Sequence, residues 1–446
     1  MNILLVGNGA REHAIAWRLS EHSGAKLFAY TSANNPGITS LCKKTGGEVL
    51  VGDIYNAQAI AKWAVGKKIE LAFASPDAVL EAGVSDALIA AGIATASPIK
   101  AAARLEWDKS FCRNLMQKHK IDGCPRFGVF SDADQAADFI DELGGEVAVK
   151  PAGLTGGKGV KVTGYQLKDG EEAKAYAREV LETKMGKLPE VVLEERLIGE
   201  EFTLQAFVDG KHVIGMPAVQ DFKLAYEGDT GPNTGGMGSY TDSRKILPFM
   251  QPGDYEKGLD IMRATILSFE KETGKQFKGV LYGQFILTKR GPKNIEFNSR
   301  FGDPECMNVM SLLESDLVTI FQKIASGTLS ESDVKFASKA TVCKYLVPDG
   351  YPDNPKKNEI ISVDEKHILA SGAKLFYASV SEKEGKIYTG SSRSIGLVGI
   401  GASIPEAEKI AEAATSFVKG PVRHRRDIGT AALLEKKIAR MKSILA

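Results

Sequence analysis

Residues suited to holding phosphate and a divalent cation stand in four places along the chain. Gly7-Asn8-Gly9-Ala10-Arg11-Glu12-His13 follows an aliphatic run and opens a stretch of helical spacing. Glycines there let backbone N–H groups approach a phosphate at a helix N-terminus. A dinucleotide fingerprint asks for a third small residue where Glu12 stands. It also asks for an acid after the second strand, where Leu27-Phe28-Ala29-Tyr30-Thr31-Ser32 has none. A monophosphate therefore fits better than a nicotinamide dinucleotide; the alternative is a tight turn with solvated Arg11 and Glu12. In Lys150-Pro151-Ala152-Gly153-Leu154-Thr155-Gly156-Gly157-Lys158-Gly159-Val160, four glycines and two lysines lie between two expected strands. That is a hairpin able to fold over a polyphosphate. It is not a Walker A loop, because the G-x-x-x-x-G-K-[ST] spacing is missing and a strand follows instead of a helix.

The third place, Asp229-Thr230-Gly231-Pro232-Asn233-Thr234-Gly235-Gly236-Met237-Gly238, is too polar and glycine-rich for a core, with Asp221 and Lys223 just ahead of it. Long loops of this kind are commonly functional. The fourth is Ile295-Glu296-Phe297-Asn298-Ser299-Arg300-Phe301-Gly302-Asp303-Pro304-Glu305. On a strand, alternate residues share a face, which puts Glu296, Asn298 and Arg300 together and sends Ile295 and Phe297 to the core. A carboxylate beside an amide oxygen suits Mg²⁺ or Mn²⁺, with substrate phosphates completing the shell. Arg300 then suits a carboxylate or a transferring phosphoryl group. The alternative for the Glu-x-Asn pair alone is a solvent-facing strand edge.

The elements that must position these residues form three blocks. Residues 1–100 alternate short apolar runs (3–6, 27–30, 48–51, 71–74, 93–96) with helical segments (57–65, 84–91), which predicts a doubly wound parallel α/β domain. Residues 101–325 read as α+β: one helix over 101–119, strands at 147–150, 160–163 and 191–195, a helix over 173–185, and antiparallel strands at 202–209, 212–219, 280–287 and 293–298. Residues 326–446 form a small α+β domain whose patterned part begins near Ala337. In it Ser403 and Glu406 stand at capping-box spacing before a helix reaching 418. With 446 residues, 57 Lys plus Arg against 56 Asp plus Glu, the net charge is +1. That balance gives no field for a nucleic-acid partner. No apolar stretch is long enough to span a membrane. Met1-Asn2-Ile3-Leu4 lacks a basic leader and five scattered cysteines form no C-x-x-C pair, so reduced thiols and a cytoplasmic location are expected.

Taken in order, these segments and Arg426-Asp427-Ile428-Gly429 resemble the phosphoribosylamine–glycine ligase family of the ATP-grasp superfamily over essentially the whole chain. The resemblance implies a central ATP-grasp domain with a lid over about 122–195. It also implies joining of glycine to 5-phosphoribosylamine with ATP turning over to ADP and phosphate, through a glycyl phosphate, early in purine synthesis. It implies Mg²⁺ or Mn²⁺, no nucleic acid or membrane partner, and a monomer or homodimer. Residue by residue, Lys109 and Lys150 resemble the holders of the ATP phosphates. Gly153, Gly156, Gly157, Lys158 and Gly159 resemble the lid. Glu194, Glu195 and Leu197 resemble the adenine hinge, and Glu201 the ribose acid. Glu296 and Asn298 resemble the metal ligands, with Gln284 where many relatives carry an acid. Gly7, Asn8, Gly9, Arg11, Glu12 and His13 with Pro76 and Asp77 resemble the wall for the ribose phosphate. Asp221, Asn233, Thr234, Gly235, Gly236, Arg300 and Asp303 fall to glycine and the reacting atoms, with Lys150, Asp221 and Arg300 as the catalytic set. A nucleotide-binding regulator, or an ATP-grasp ligase using bicarbonate or formate, are the rival readings.

Overall fold

The computed structural model describes residues 1–156 and 159–446. Its first five strands, β1 (Asn2–Val6), β2 (Lys26–Thr31), β3 (Val49–Val51), β4 (Leu71–Ala74) and β5 (Ala94–Thr95), pair in parallel in the order β3-β2-β1-β4-β5. The unbroken aliphatic run of β1 is explained by its two covered faces. Ile3 and Leu5 enter one core while Leu4 and Val6 enter another. Strand order reverses between β1 and β4, and in an open parallel sheet the crevice beyond that point is where ligands bind. Here it lies between the glycine turn after β1 and Ser75-Pro76-Asp77 after β4.

The lid layer is a four-stranded antiparallel sheet of β6 (Phe127–Phe130), β7 (Val147–Pro151), β8 (Lys161–Val162) and β9 (Val191–Glu195), ordered β6-β9-β7-β8. Helices Ala133–Glu142 and Gly170–Thr183 pack on it around Ile140, Val147, Val149, Tyr176 and Val180. The opposing sheet is built from β10 (Glu200–Asp209), β11 (Val213–Gly215) and, further along, two long strands. Between them come β12 (Gln220–Asp221), β13 (Leu224–Tyr226), β14 (Thr230–Asn233) and β15 (Gly238–Thr241). The two long strands, β16 (Lys278–Thr288) and β17 (Gly291–Asn298), complete the order β11-β10-β16-β17. A further sheet runs β12, β15, β18 (Ala340–Pro348), Ile395–Gly401 and Lys374–Tyr377, so strands from the central and the C-terminal parts share one ladder.

Several elements differ from their sequence patterns. The helix expected over 101–119 is two, Lys100–Trp107 and Lys109–Lys118. Asp108 adopts an extended conformation, and its carboxylate accepts the Phe111 N–H at 2.9 Å, capping the second helix. The capping box at Ser403 does not form: Glu406 accepts from Ala402 N at 2.9 Å and the Ser403 side chain caps nothing. The polar segment after Asp221 is partly a hairpin, β13 with β14. Helix Pro252–Thr273 was not marked by the sequence pattern. All five cysteines are free. Among the described residues no helix is long and apolar enough to cross a membrane.

Candidate active site

The glycine turn after β1 is shaped by contact with its neighbour after β4. Gly7 has φ +135°, and a Cβ there would lie 2.8 Å from both Glu12 Cγ and Pro76 Cδ, so only glycine lets the two turns meet. Glu12 is buried and does not face solvent: its Oε1 accepts from Ser75 Oγ and from Arg11 Nε, both at 2.6 Å. It fixes the turn. His13, expected at the phosphate wall, is turned away from it. One helical step on, its ring is buried against Phe376 and Tyr377, and Nδ1 accepts the Tyr377 N–H at 2.9 Å. Burial lowers its pKa to about 3, which keeps it neutral. Arg11, Asn8, Pro76 and Asp77 remain at the crevice, and Asn8 Oδ1 is buried with no partner among the described residues.

A second set of residues is organised by β17. Opposite Gln284 and Phe285 the register slips, leaving Ile295 as an extra, unpaired residue, a β-bulge. Its carbonyl, freed from the ladder, accepts from Lys150 Nζ at 2.8 Å and Arg113 Nη2 at 2.6 Å. Ile295 thus marks the bulge instead of filling the core, whereas Phe297 is buried as expected. Glu194 lies beneath, paired with Arg113 (Nε–Oε1 2.7 Å) and Lys150 (Nζ–Oε2 2.8 Å), all three side chains at most 4% exposed. Burial pushes the Glu194 carboxyl up, but the two cations hold it below its usual range. Its side chain therefore serves Arg113 and Lys150, and the hinge expected over this segment draws on its backbone groups. Glu195 accepts the Arg126 N–H at 2.9 Å, and Leu197 follows just beyond the end of β9.

Glu296 and Asn298 share a face, with Asn298 Nδ2 donating to Glu296 Oε1 at 3.3 Å. Burial raises the Glu296 pKa, yet Lys109, Lys150 and Lys223 bring it below the ordinary value. Lys109 donates to Gly153 O at 2.8 Å, tying the helix Lys109–Lys118 to the root of the glycine hairpin. Gly153 itself packs on Gly186, whose carbonyl oxygen a Cβ would meet at 1.9 Å. Gly156 lies in the left-handed region, and the Gly159 carbonyl accepts from Tyr176 Oη at 2.9 Å. Gly157 and Lys158 fall outside the described residues.

Gln284 faces Glu296 across the ladder, but its amide oxygen accepts from Tyr282 Oη while Nε2 donates to Glu201 Oε2 at 2.9 Å and Asp221 Oδ1 at 3.5 Å. Held this way it presents a donor, so the expected third oxygen ligand is not carried by this arrangement. Lys223 bridges Glu201 (2.9 Å) and Asp221 (3.5 Å). Burial raises the Asp221 pKa, and the Glu201 charge adds to that.

Arg300 joins the two sets. Nη2 lies 2.9 Å from Glu106 Oε1 and donates to Asn298 Oδ1 at 3.0 Å. Arg300 Nη1 and Arg11 Nη1 donate to the same Phe301 carbonyl, at 3.2 and 3.1 Å. Glu106, whose second oxygen accepts the Ser299 N–H at 2.8 Å, has its carboxyl raised by burial to about 7. Asp303, expected to meet substrate, instead takes Tyr345 Oη at 2.6 Å and Arg393 Nη2 at 3.1 Å. The Gly235–Gly236 segment is likewise held by Arg393 and Tyr351. Sequence reasoning gave no role to Arg113, Glu106, Arg393, Tyr345 or Tyr351. Arg113 stands one helical turn after Lys109, a spacing that could have flagged it; the others are isolated in sequence.

The donor set of Glu296 and Asn298 is hard oxygen, and no group of three or more His, Cys, Asp or Glu surrounds it among the described residues. Two protein oxygens leave most of an octahedral shell to phosphates and water, which fits Mg²⁺ or Mn²⁺ better than Zn²⁺.

Comparison with known proteins agrees across the chain. Family models match residues 1–106 (phosphoribosylglycinamide synthetase, N domain), 107–306 (its ATP-grasp (A) domain) and 341–431 (its C domain). The phosphoribosylamine–glycine ligase of Methanosarcina barkeri (strain Fusaro / DSM 804) is 53% identical over 446 residues, covering 100% of each chain. That of Methanopyrus kandleri is 48% identical, covering 100% of this chain and 99% of its own. Among solved structures, the phosphoribosylamine–glycine ligase of Thermotoga maritima superposes with a TM-score of 0.80 at 27% identity, covering 96% of this chain and 100% of that one.

Proposed function

This chain belongs to the phosphoribosylglycinamide synthetase family, and from that premise we propose that it joins glycine to 5-phosphoribosylamine at the expense of ATP, as a step of purine biosynthesis. The observation that carries the reading is the meeting of Arg11 and Arg300 on the Phe301 carbonyl. It brings the phosphate-binding turn of the parallel sheet up to the Glu296–Asn298 strand, so a phosphorylated acceptor and a triphosphate can share one space.

The chemical problem is a poor leaving group: a carboxylate oxygen must be phosphorylated before an amine can displace it. Positioning and charge neutralisation then do most of the work. Lys109 and Lys150 face the triphosphate, Lys150 with its ammonium fixed by Glu194 and the Ile295 carbonyl. Glu296 and Asn298 would hold Mg²⁺ or Mn²⁺, which when bound neutralises phosphate charge. Glu201 takes the nucleotide ribose, and backbone near Glu195 and Leu197 borders the base. Gly153, Gly156 and Gly159 let the hairpin approach the phosphates. Arg300 orients the glycine carboxylate for in-line attack, giving a glycyl phosphate, with Asp221 and the Asn233–Thr234 end of the loop toward the amino group. Gly7, Asn8, Gly9 and Arg11 with Pro76 and Asp77 present the ribose phosphate so that its amine displaces inorganic phosphate. In this reading it works in the cytoplasm on small molecules, as a monomer or homodimer.

The test is ADP release measured with ATP, Mg²⁺ and each acceptor in turn. Turnover that needs both glycine and phosphoribosylamine is expected; stimulation by bicarbonate or formate without glycine, or no turnover at all, would overturn the reading.

A further inference from the structure

The C-terminal part of the chain holds the glycine-rich loop at both ends. At the far end, Arg393 lies beside Gly235 and Gly236: its Nη1 donates to Gly235 O (2.5 Å), Gly236 O (3.1 Å) and Asp303 O (3.0 Å), while Nη2 reaches Asp303 Oδ2 at 3.1 Å. Its guanidinium sits 4.4 Å from the Tyr345 ring centroid, and Tyr345 Oη donates to the other Asp303 oxygen. Gly236 has φ +107°, and a Cβ there would stand 2.7 Å from Pro304 Cδ, so the loop rests directly on the turn that follows Arg300. At the near end, the fully buried Arg425 donates to Asp229 Oδ1 at 3.0 Å and to both Asp427 oxygens, and Asp427 Oδ2 accepts the Gly228 N–H at 3.0 Å. The Arg426-Asp427-Ile428-Gly429 signature thereby gains a structural role.

We propose that Arg393 is a positioning residue for the acceptor half of the reaction. One guanidinium ties the loop to the Asp303 turn, and Arg425 secures the loop's other end, so that the loop and Arg300 face the acyl group at a fixed span. A planar fork with five donors can serve three carbonyls and a carboxylate together; an ammonium cannot. The inference rests on the ligase reading above. The hydrogen-bond and ion-pair partners of Arg393 are Gly235, Gly236 and Asp303, and the nucleotide-facing Lys109, Lys150 and Glu201 are not among them, so binding of ATP should not sense its loss.

The experiment is steady-state kinetics on the full chain with Mg²⁺, ATP, glycine and phosphoribosylamine, for wild type, Arg393→Ala, Arg393→Lys and Tyr345→Phe, with ADP and amide product both counted. Arg393→Ala is expected to raise the KM for glycine or phosphoribosylamine about tenfold or more, and to leave the KM for ATP within about twofold. More ADP than amide should form, because the acyl phosphate in a loosened site is lost to water as glycine and phosphate. Arg393→Lys should recover only part of the coupling, and Tyr345→Phe should show the same pattern more weakly. Equal increases in all three KM values, or one-to-one ADP and amide in every variant, would overturn the proposal. If Arg393→Ala does not fold, Tyr345→Phe and Arg393→Lys decide the question by the same ratio. Absence of glycine-dependent ADP release in the wild type would instead strike the ligase reading itself.

Discussion

Glu296 faces three ammonium groups and one amide, and their combined field outweighs its burial and keeps it ionised. An ionised oxygen at the end of a strand is what a hard cation needs, and a neutral amide of the same shape is a poor substitute. Glu296→Gln is therefore expected to fold with an unchanged melting temperature and to lose at least ~100-fold in kcat, the scale of removing one preorganised electrostatic contact. Melting curves and ADP release without and with raised Mg²⁺ check this, and activity within tenfold of wild type would remove Glu296 from the site. The pairing of Glu296 with Asn298 was legible because strand periodicity alone puts residues two apart on one face. The role of Glu194 was not: a Glu-Glu-Arg-Leu string says nothing about the arginine 81 positions earlier that meets it. Gln284 shows the same limit, since its orientation is set by Tyr282 beside it and Glu201 and Asp221 on other strands.

The β-bulge at Ile295 and the helix Lys109–Lys118 act as one unit at the element scale. The bulge frees a carbonyl, and Lys150 and Arg113 both occupy it. Replacing Arg113 by Met leaves Glu194 with one cation instead of two and leaves that carbonyl half served. Removing one member of a buried ionic network costs about 3–5 kcal/mol, so urea unfolding of Arg113→Met should show a loss in that range; a loss under about 1 kcal/mol would mean that the network is not a structural support. The hairpin root makes a sharper test of geometry. A methyl group at Gly153 would sit 1.9 Å from the Gly186 carbonyl oxygen and must push the strand β7 exit away from Lys109. Gly153→Ala should raise the KM for ATP roughly tenfold, equivalent to about 1.4 kcal/mol, while the KM for glycine stays near wild type. Equal shifts in both would place the effect elsewhere. Most strands of this region were legible from their apolar residues, although the long ones are buried at nearly every position instead of alternating. The break at Asp108 was not, because apolar spacing continues across it and only the side-chain cap reveals two helices. The bulge was equally hidden, since a one-residue slip leaves no mark in composition.

Across the whole molecule, the N-terminal sheet and the C-terminal strands meet at His13. The sequence placed this histidine with the phosphate turn because it directly follows Arg11 and Glu12. The helix Ala10–Ser20 rotates it onto the opposite side, where it closes the seam against Phe376 and Tyr377. Its Nδ1 must stay unprotonated to accept the Tyr377 N–H, and burial lowers its pKa from 6.5 to about 3. The unfolded chain therefore binds a proton that the folded chain refuses between those values. Stability from this group is complete above pH 6.5 and declines as pH falls toward 3, by about 1.4 kcal/mol for each pH unit in which one proton separates the states. His13→Asn keeps an acceptor near the Tyr377 N–H and removes the titration. Unfolding free energy followed from pH 7.5 to pH 5 should then fall less steeply in the variant, by about one proton's worth of slope below pH 6. The wild-type loss should appear first as separation of the seam, seen as earlier hydrogen exchange at the Tyr377 amide than in the lid sheet. Parallel pH slopes in the two proteins would show that the seam carries no buried neutral histidine, and that other groups set the acid limit of this fold.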